Sequence, residues 1–268
     1  MYEKITSLQN PGIKFAKSLR QRNKREKNKL TLLEGYRALS RGLECGMRFE
    51  TCYFSPSMFL GENEMSLIEK IVASGAKVFE VSEQVLKKIA YRDRPEGLIA
   101  VAKIREHNLD SIPVKENGLY IVAESIEKPG NLGSILRSAD AAGADGVIVC
   151  EKCTDIYNPN VITASTGAIF SMPVAEASND EALDWIRKNK LATLAATPEA
   201  ETEYYGMDLT QGIAVIVGTE QYGLTEFWKK NSDFNVSIPM HGFIDSLNVA
   251  TATTVILFEA ARQRAEKK

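Results

Sequence analysis

The second half of the chain contains three polar, glycine-rich segments, and each follows an apolar run of strand length. They begin at Glu124, at Gly218 and at Ile238. In parallel α/β sheets, ligands bind outside the carboxyl ends of the strands, where segments of this kind lie. The three segments therefore predict one ligand-binding edge in the second half of the chain.

Side chains suited to binding and proton transfer lie in the first two segments. Asn131 is placed to cap a helix that begins near Leu132, and Arg137 follows one turn into that helix. Gly218 ends a strand and lets a planar ligand or a second chain pass close, and Glu220 follows it. An ordinary strand-to-helix turn, with Glu220 near a helix N-terminus, explains the same residues structurally.

The third segment leads into a long closing helix. Asp245 or Ser246 is the candidate N-cap of that helix. Asn248 then lies in the first helical turn, which is otherwise apolar. A cap at Asp245 or Ser246 does not explain this polar residue. We therefore expect Asn248 to point back into a site.

Other residues that commonly perform chemistry are scarce. The two histidines, His107 and His241, lie in no recognisable motif, so neither a zinc site nor a histidine-based hydrolytic triad is expected. Cys150 and Cys153 form a C-x-x-C pair, but loop-like residues follow it where a thioredoxin-like redox site requires a helix. Four cysteines are too few for a disulfide scaffold, so the reducing cytoplasm is the expected location.

Positive charge is concentrated near the N-terminus. Residues 14–41 include ten basic and two acidic side chains, a local charge of +8, whereas the whole chain carries −2 and the remainder −10. A stripe of this density can neutralise phosphates and release counterions, which supplies most sequence-independent affinity for nucleic acid. A solvated helix face is the alternative. The candidate RNA-contacting residues are Lys24, Arg25, Lys27, Lys29 and Arg37.

The length of 268 residues favours two domains. We predict a small α/β domain over 1–105, a polar linker over 106–117 and a second domain over 118–268. In the second domain, apolar strands alternate with helices, which predicts an α/β fold with a parallel sheet covered on both faces. The sequence contains no apolar run of about 18 residues, so we expect no membrane-spanning helix. The N-terminus lacks the apolar region of a secretory signal.

The predicted strands are short apolar runs and the predicted helices have apolar residues at helical spacing. The strands are Thr51–Phe54, Lys77–Val81, Leu119–Ala123, Gly146–Cys150, Leu191–Ala196, Ile213–Val217 and Val236–Pro239, and Gly97–Ala102 is a further candidate. The helices include Leu33–Cys45, Glu64–Ser74, Gln84–Ala90, Leu132–Ala142, Glu181–Asn189 and Leu247–Arg264.

The three segments also resemble known motifs. N-x-G-x-x-x-R-x-A (from Asn131), V-G-x-E-x-x-G-L (from Val217) and I-P-M-x-G-x-x-D-S-L-N-V (from Ile238) are similar, in order and spacing, to the three motifs of the SpoU/TrmH family of RNA 2′-O-ribose methyltransferases. The resemblance covers residues 119–264. The stretch 27–103, led by Leu33-Glu34-Gly35, resembles the small substrate-binding domain that often precedes this catalytic domain.

The resemblance implies a SPOUT fold with a deep trefoil knot, an L30e-like first domain, bound S-adenosylmethionine and a homodimer with active sites at the subunit interface. It implies RNA as the substrate, with 23S ribosomal RNA favoured by the separate N-terminal domain; a tRNA substrate is the alternative. Arg137 is then the catalytic arginine, and its polar companions are Asn131, Glu220, Ser246 and Asn248. The implied cofactor contacts are Thr197, Gly218, Ile238 and Leu247.

Three positions depart from the family pattern. Lys128 stands where the family usually has aspartate, Gln221 where it has glycine, and Ala250 where it has serine. If position 221 needs a left-handed backbone, a non-glycine residue costs about 1–2 kcal/mol. The catalytic and cofactor positions of the motifs are retained, so we expect an active enzyme.

The implied reaction is attack of a ribose 2′-hydroxyl on the sulfonium methyl group. The donor is already activated by its positive charge, so no metal is needed, and the 2′-hydroxyl distinguishes RNA from DNA. Because arginine normally stays protonated, two roles remain for Arg137. It is the base, as the resemblance favours, or it holds a substrate phosphate while another group or water accepts the proton. A non-catalytic RNA-binding module is a further alternative that explains the basic stripe but not the three motifs.

Overall fold

The structure is a computed structural model that describes residues 2–267. The chain forms two compact units. The first unit comprises the chain through Arg105 together with Tyr157–Phe170, and the second comprises Glu106–Ile156 and Ser171–Lys268. Sequence patterns gave no sign that Tyr157–Phe170 would pack with the first unit.

The elements alternate between strands and helices along the whole chain. Up to residue 105 they are β1 (Glu3–Ile5), α1 (Pro11–Ser18), α2 (Arg22–Asn28), β2 (Leu30–Glu34), α3 (Tyr36–Glu44), β3 (Phe49–Phe54), α4 (Glu64–Ala73), β4 (Lys77–Val81), α5 (Glu83–Ile89) and β5 (Leu98–Lys103). Thereafter they are β6 (Leu119–Glu124), α6 (Pro129–Ala142), β7 (Gly146–Cys150), α7 (Pro159–Ala164), α8 (Ala168–Ser171), β8 (Val174–Ala177), α9 (Asn179–Lys188), β9 (Ala192–Ala196), β10 (Ile213–Val217), α10 (Glu226–Asn231), β11 (Phe234–Val236) and α11 (Val249–Glu266).

The first unit is built on a five-stranded mixed sheet in the order β1-β4-β3-β5-β2. β1, β4 and β3 are parallel, whereas β5 runs antiparallel to both β3 and β2. All five side chains of β2 are buried. The predicted helix over Leu33–Cys45 is therefore wrong at its start: Leu33 lies in the buried β2, and the helix begins only at Tyr36, after Gly35 turns the chain at φ 84°.

The second unit is built on a six-stranded sheet in the order β11-β9-β10-β6-β7-β8, and every pairing is parallel. The prediction of an α/β fold with a parallel sheet is confirmed. The three central strands β6, β7 and β10 are buried along their whole length, as expected where helices cover both faces. The first and last residues of β7 and β10 are the predicted ones, because each strand is a continuous apolar run bounded by polar residues.

Two predicted caps are wrong, and the differences move functional candidates. Pro129 starts α6, since its fixed φ suits the first helical position, so Lys128 is the N-cap and Asn131 lies inside the first turn. Asn248 is itself the N-cap of α11, because its side chain accepts a hydrogen bond from the Ala250 amide at 3.0 Å. Asp245 and Ser246 therefore precede the cap.

No helix within residues 2–267 is both long enough and apolar enough to cross a membrane.

Candidate functional site

The carboxyl ends of parallel strands bring the sequence motifs together in the second unit. The first and second motifs follow the adjacent strands β6 and β10, and the third follows β11, which only β9 separates from β10. Because all these strands are parallel, the three motifs leave the sheet at the same edge. The predicted single ligand-binding edge therefore has its structural basis in the order of the strands.

A cluster of four side chains centres on Glu220, and we call it the Glu220 cluster. The Glu220 carboxylate accepts hydrogen bonds from Asn131 Nδ2 at 2.7 Å and from Asn248 Nδ2, and it pairs with Lys128 Nζ. Asn248 Nδ2 also lies 3.2 Å from Asn131 Oδ1. Residues from all three motifs thus meet at one carboxylate.

The surroundings of Glu220 keep it charged. The hydrogen bond from Lys128, and then those from Asn131 and Asn248, hold the pKa of this carboxyl below its ordinary value against partial burial. An ionised carboxylate with three donors is a poor proton acceptor, because each donor favours the charged form. Glu220 is therefore suited to holding the two asparagines in place.

Two cavities share the segment 219–221 as part of their lining. The larger has a volume of about 370 Å³, which is in the range of small-ligand sites. Its walls include all four predicted cofactor residues together with Ser246: Thr197, Gly218, Ile238, Ser246 and Leu247. The smaller, of about 180 Å³, is lined by Ile126, Lys128 and Asn131. Glu220 and Val249 belong to both walls.

Glycines shape the turn between these cavities. A β-carbon at Gly218 would lie 2.2 Å from the Gly223 carbonyl oxygen, so a side chain is excluded there by the chain itself. Thr219 and Gly223 exchange backbone hydrogen bonds of 3.0 Å in both directions. Gly218 is thus needed for this tight turn, which places Glu220 at its tip.

The departures from the family pattern fit locally. Gln221 is not among the described residues with positive φ, so it does not incur the energetic cost of a left-handed backbone. Ala250 is buried in the first turn of α11. Lys128 takes part in the Glu220 cluster directly, which a residue of opposite charge could not do.

Arg137 is not brought into the Glu220 cluster of its own chain. It is exposed on α6 and lines neither cavity. Across residues 2–267, the structure gives its guanidinium no hydrogen bond and no ion pair. The predicted catalytic arginine therefore has no partner in the described chain.

Sequence reasoning missed a buried carboxylate at the same sheet edge. Glu124, 1% exposed at the end of β6, accepts hydrogen bonds from the Thr225 amide at 2.9 Å, from Thr225 Oγ1 at 2.7 Å and from Asn179 Nδ2 at 2.7 Å. Asn179 Oδ1 in turn accepts from Trp228 Nε1 at 2.8 Å. Glu124 thereby ties the start of α10 to β6. An acidic residue that ends an apolar strand was the available signal.

The structure changes one of the five predicted RNA-contacting residues. Arg25 is 3% exposed, and its Nη1 donates to the carbonyl oxygens of Leu19 at 2.9 Å and Arg20 at 2.8 Å. Its guanidinium is turned inward because it satisfies the carbonyl groups between α1 and α2, so its prediction as an RNA contact is wrong. The other four are exposed: Lys24, Lys27, Lys29 and Arg37.

The two cysteines of the C-x-x-C pair differ in burial. Cys150 is buried and Cys153 is exposed, neither forms a disulfide in the described chain, and burial raises the pKa of the Cys150 thiol. In the described part of the chain, no three His, Cys, Asp or Glu side chains come together as metal ligands.

Comparisons with known proteins agree across both units. The family model of the SpoU rRNA Methylase family matches residues 118–258, and that of the MRM3-like substrate binding domain matches residues 10–100. The chain is 35% identical over 257 residues to the 23S rRNA (uridine(2479)-2′-O)-methyltransferase of Streptomyces viridochromogenes, a match that covers 92% of this chain and 87% of that protein.

Solved structures are similar over nearly the full length. A crystal structure of an RNA 2′-O ribose methyltransferase has 41% sequence identity and a TM-score of 0.86, covering 98% of this chain and 99% of that one. An AdoMet-bound rRNA methyltransferase from Sinorhizobium meliloti has 31% identity and a TM-score of 0.89, covering 97% of each chain.

Proposed function

The chain belongs to the SpoU rRNA methylase family, and from this premise we propose that it transfers a methyl group from S-adenosylmethionine to a ribose 2′-hydroxyl of 23S ribosomal RNA. The observation that carries the proposal is the Glu220 cluster, in which residues of three separate motifs meet beside a ligand-sized cavity. Ribosomal RNA is favoured because the curated relative described above is named for that substrate. A ribosomal substrate in turn makes the cytoplasm the proposed place of action.

The larger cavity fits the cofactor on its own chemistry. Apolar side chains of Ile238 and Leu247 suit a flat ring, while Thr197 and the backbone around Gly218 offer polar groups. The Glu220 carboxylate on the shared wall is complementary to a sulfonium charge. When bound, S-adenosylmethionine supplies an electrophilic methyl group.

The chain's own residues then position the acceptor. Asn131 and Asn248 are both hydrogen-bonded to the Glu220 carboxylate, and Asn131 and Glu220 line the smaller cavity. Ser246 adds a hydroxyl group to the lining of the larger cavity. Fixed polar groups of this kind align reacting atoms and lower the activation barrier by several kcal/mol.

Proton removal is assigned to Arg137 acting across a subunit interface. We propose a homodimer in which Arg137 of one protomer completes the site of its partner, where it accepts the 2′-hydroxyl proton or holds the adjoining phosphate. An exposed arginine with no partner in its own chain supports this placement. The lowered pKa of Glu220 also argues against that carboxylate as the base.

The finer architecture follows the same family. We propose that the second unit contains the deep trefoil knot of the SPOUT fold, that the first unit is L30e-like and that it captures RNA. The parallel sheet order and the exposed basic residues Lys24, Lys27, Lys29 and Arg37 support these assignments. We also propose residues 1–105 and 118–268 as the functional domains, with Tyr157–Phe170 structurally attached to the first.

Two measurements test the function. Calorimetry with the full-length protein and no added metal should detect S-adenosylmethionine and S-adenosylhomocysteine, and absence of binding up to millimolar concentration would overturn the assignment. Incubation of unmodified 23S ribosomal RNA with radiolabelled cofactor, followed by mapping of 2′-O-methyl groups, should reveal a new site. Labelling of tRNA alone would replace ribosomal RNA by the alternative substrate.

A further inference from the structure

The first unit contains a pocket of its own, built around the sharp turn from β2 into α3. Glu34 ends β2, and Gly35 turns the chain at φ 84°. A β-carbon at Gly35 would lie 2.4 Å from the Glu96 carboxylate, so both the backbone angle and the space demand glycine. Because Gly35 has no side chain, the Glu96 carboxylate can lie close to the backbone of this turn.

A buried carboxylate fixes one wall of this pocket. Glu34, 8% exposed, accepts hydrogen bonds from the backbone amides of Tyr91 and Arg92, the latter at 3.2 Å. The Arg92 guanidinium is then held by Glu96 at 2.7 Å and by Thr163 Oγ1 at 3.3 Å. These two hydrogen bonds position the Arg92 guanidinium.

The segment Tyr157–Phe170 supplies the opposite wall. Its residues Ile162, Thr163 and Thr166 line the pocket, and Arg41 donates a hydrogen bond to the Thr166 carbonyl. The pocket has a volume of about 370 Å³. We call it the Arg92 pocket and define it by Glu34, Tyr36, Arg37, Arg92, Glu96 and Thr163.

One cation of the Arg92 pocket remains available. Arg37 is exposed, and among residues 2–267 its side chain makes no hydrogen bond or ion pair. Tyr36 beside it is partly exposed. The pocket thus combines a free guanidinium, an aromatic ring, an apolar surface at Ile162 and fixed donors and acceptors.

The charge balance of the pocket selects among ligands. Two arginines, Arg37 and Arg92, face two carboxyl groups, Glu34 and Glu96, so the lining offers no net attraction for a bare anion. A nucleotide matches better, because its phosphate can bind a guanidinium while its base uses the ring and the fixed polar groups. Proteins read RNA sequence mainly from unstacked bases recognised in this way.

We propose that the Arg92 pocket binds one unstacked nucleotide of the substrate RNA, with Arg37 on its phosphate. The proposal rests on the proposed function, since it takes RNA as the substrate. It adds a defined recognition site to the diffuse basic surface of the first unit, and it makes single-stranded RNA the preferred form.

A matched pair of arginine variants tests the proposal in the full-length protein. Arg37→Ala removes the free cation of the pocket. Arg48→Ala removes another exposed arginine, which lies immediately before β3 and outside the pocket, and is the control for loss of charge. Anisotropy with a fluorescent twelve-nucleotide single-stranded RNA of fixed sequence, and with its blunt duplex, gives the affinities over a salt series.

The expected result is a loss of about 10-fold in single-strand affinity for Arg37→Ala, the size of one good phosphate or stacking contact, and a change within about 2-fold for Arg48→Ala. Thr163→Val, which removes the hydroxyl that holds Arg92, should weaken single-strand binding by an intermediate factor. Equal effects of Arg37→Ala and Arg48→Ala, or equal loss on single strand and duplex, would overturn the pocket.

The outcome is separable from that of the proposed function. Failure of the wild-type protein to methylate any RNA would refute the function itself. Methylation by the wild-type protein with Arg37→Ala indistinguishable from Arg48→Ala would refute only the nucleotide pocket.

Discussion

Both units use the same local arrangement, but with different spacing. In each, a strand ends in a buried glutamate, Glu34 in β2 and Glu124 in β6. The next helix carries an exposed arginine, Arg37 or Arg137, whose side chain has no hydrogen-bond or ion-pair partner among residues 2–267. In the first unit a single glycine separates Glu34 from α3. In the second, four residues separate Glu124 from α6, beginning with Ser125 at φ 52°.

The difference in spacing accounts for the different sites. The one-residue turn sets Arg37 next to the pocket that Glu34 stabilises. The longer connection contributes Ile126 and Lys128 to a separate cavity and places Asn131 against Glu220. Arg137, two turns into α6, then lies away from both. In these two units, the length of the connection therefore determines whether the arginine of the following helix lines the pocket at its own strand end or lies on another surface.

Arg137→Ala has the largest expected effect, and it tests whether the arginine that lines no cavity of its own chain is needed for catalysis. We expect turnover to fall by at least 10²-fold with unchanged cofactor affinity, because the role proposed for Arg137 is on the substrate and the residue lines neither cavity. Arg137→Lys should fail as well, since lysine lacks the planar fork. Lys188→Ala, an exposed charge on α9, is the control. Single-turnover methylation measures the effect, and near-normal rates in Arg137→Ala would remove it from catalysis.

Glu124→Gln tests whether the buried carboxylate at the end of β6 anchors the start of α10. The amide must point its NH₂ at one of three donors, so the free energy of unfolding should fall by about 1–3 kcal/mol. Cofactor affinity should weaken too, because Thr225 follows the turn that lines the larger cavity. Denaturant midpoints are compared with those of Glu201→Gln, an exposed control. Unchanged midpoints would contradict the anchoring role.

Lys128→Met examines the cluster that the longer connection creates. The hydrogen bond from Lys128 is the largest cause of the lowered pKa of Glu220, and the charge of Lys128 adds to it, so removal of this side chain should raise that pKa. The carboxylate is then lost at a higher pH on acidification, and the acid limb of the cofactor-binding profile should move upward. Lys128→Arg should restore the wild-type limb. Identical profiles for the methionine and arginine variants would show that the charge of Lys128 is irrelevant.

Glu34→Gln has the smallest expected effect, and it depends on pH. Burial raises the folded-state pKa of Glu34 above its unfolded value. The stability that this group contributes is therefore complete below the unfolded pKa and is lost as pH rises through the folded pKa. Relative to Glu34→Gln, the wild type should gain stability as pH falls from neutral toward 4. Thermal midpoints at several pH values measure the difference, and a pH-independent difference would contradict the direction of the shift.

The sequence determined the second unit's sheet and the meeting of its motifs. β7 and β10 occur where predicted, because parallel strands covered on both faces must be continuously apolar. Asn131, Glu220 and Asn248 were expected at one edge and are within hydrogen-bonding contact, since their segments all follow strand ends. These inferences need only local patterns and the polarity of a parallel sheet.

Tertiary structure alone decided which residues are buried and which segments pack together. Arg25 belongs to a basic stripe by sequence, yet carbonyl groups of the preceding residues draw its guanidinium inward. Thr31 Oγ1 donates a hydrogen bond of 3.4 Å to the carbonyl oxygen of Tyr157, 126 residues away, and the segment Tyr157–Phe170 belongs to the first unit. The hydrophobic periodicity of a helix or strand shows which of its faces is covered. It does not show which other element covers that face, because that is set by packing between residues far apart in the chain.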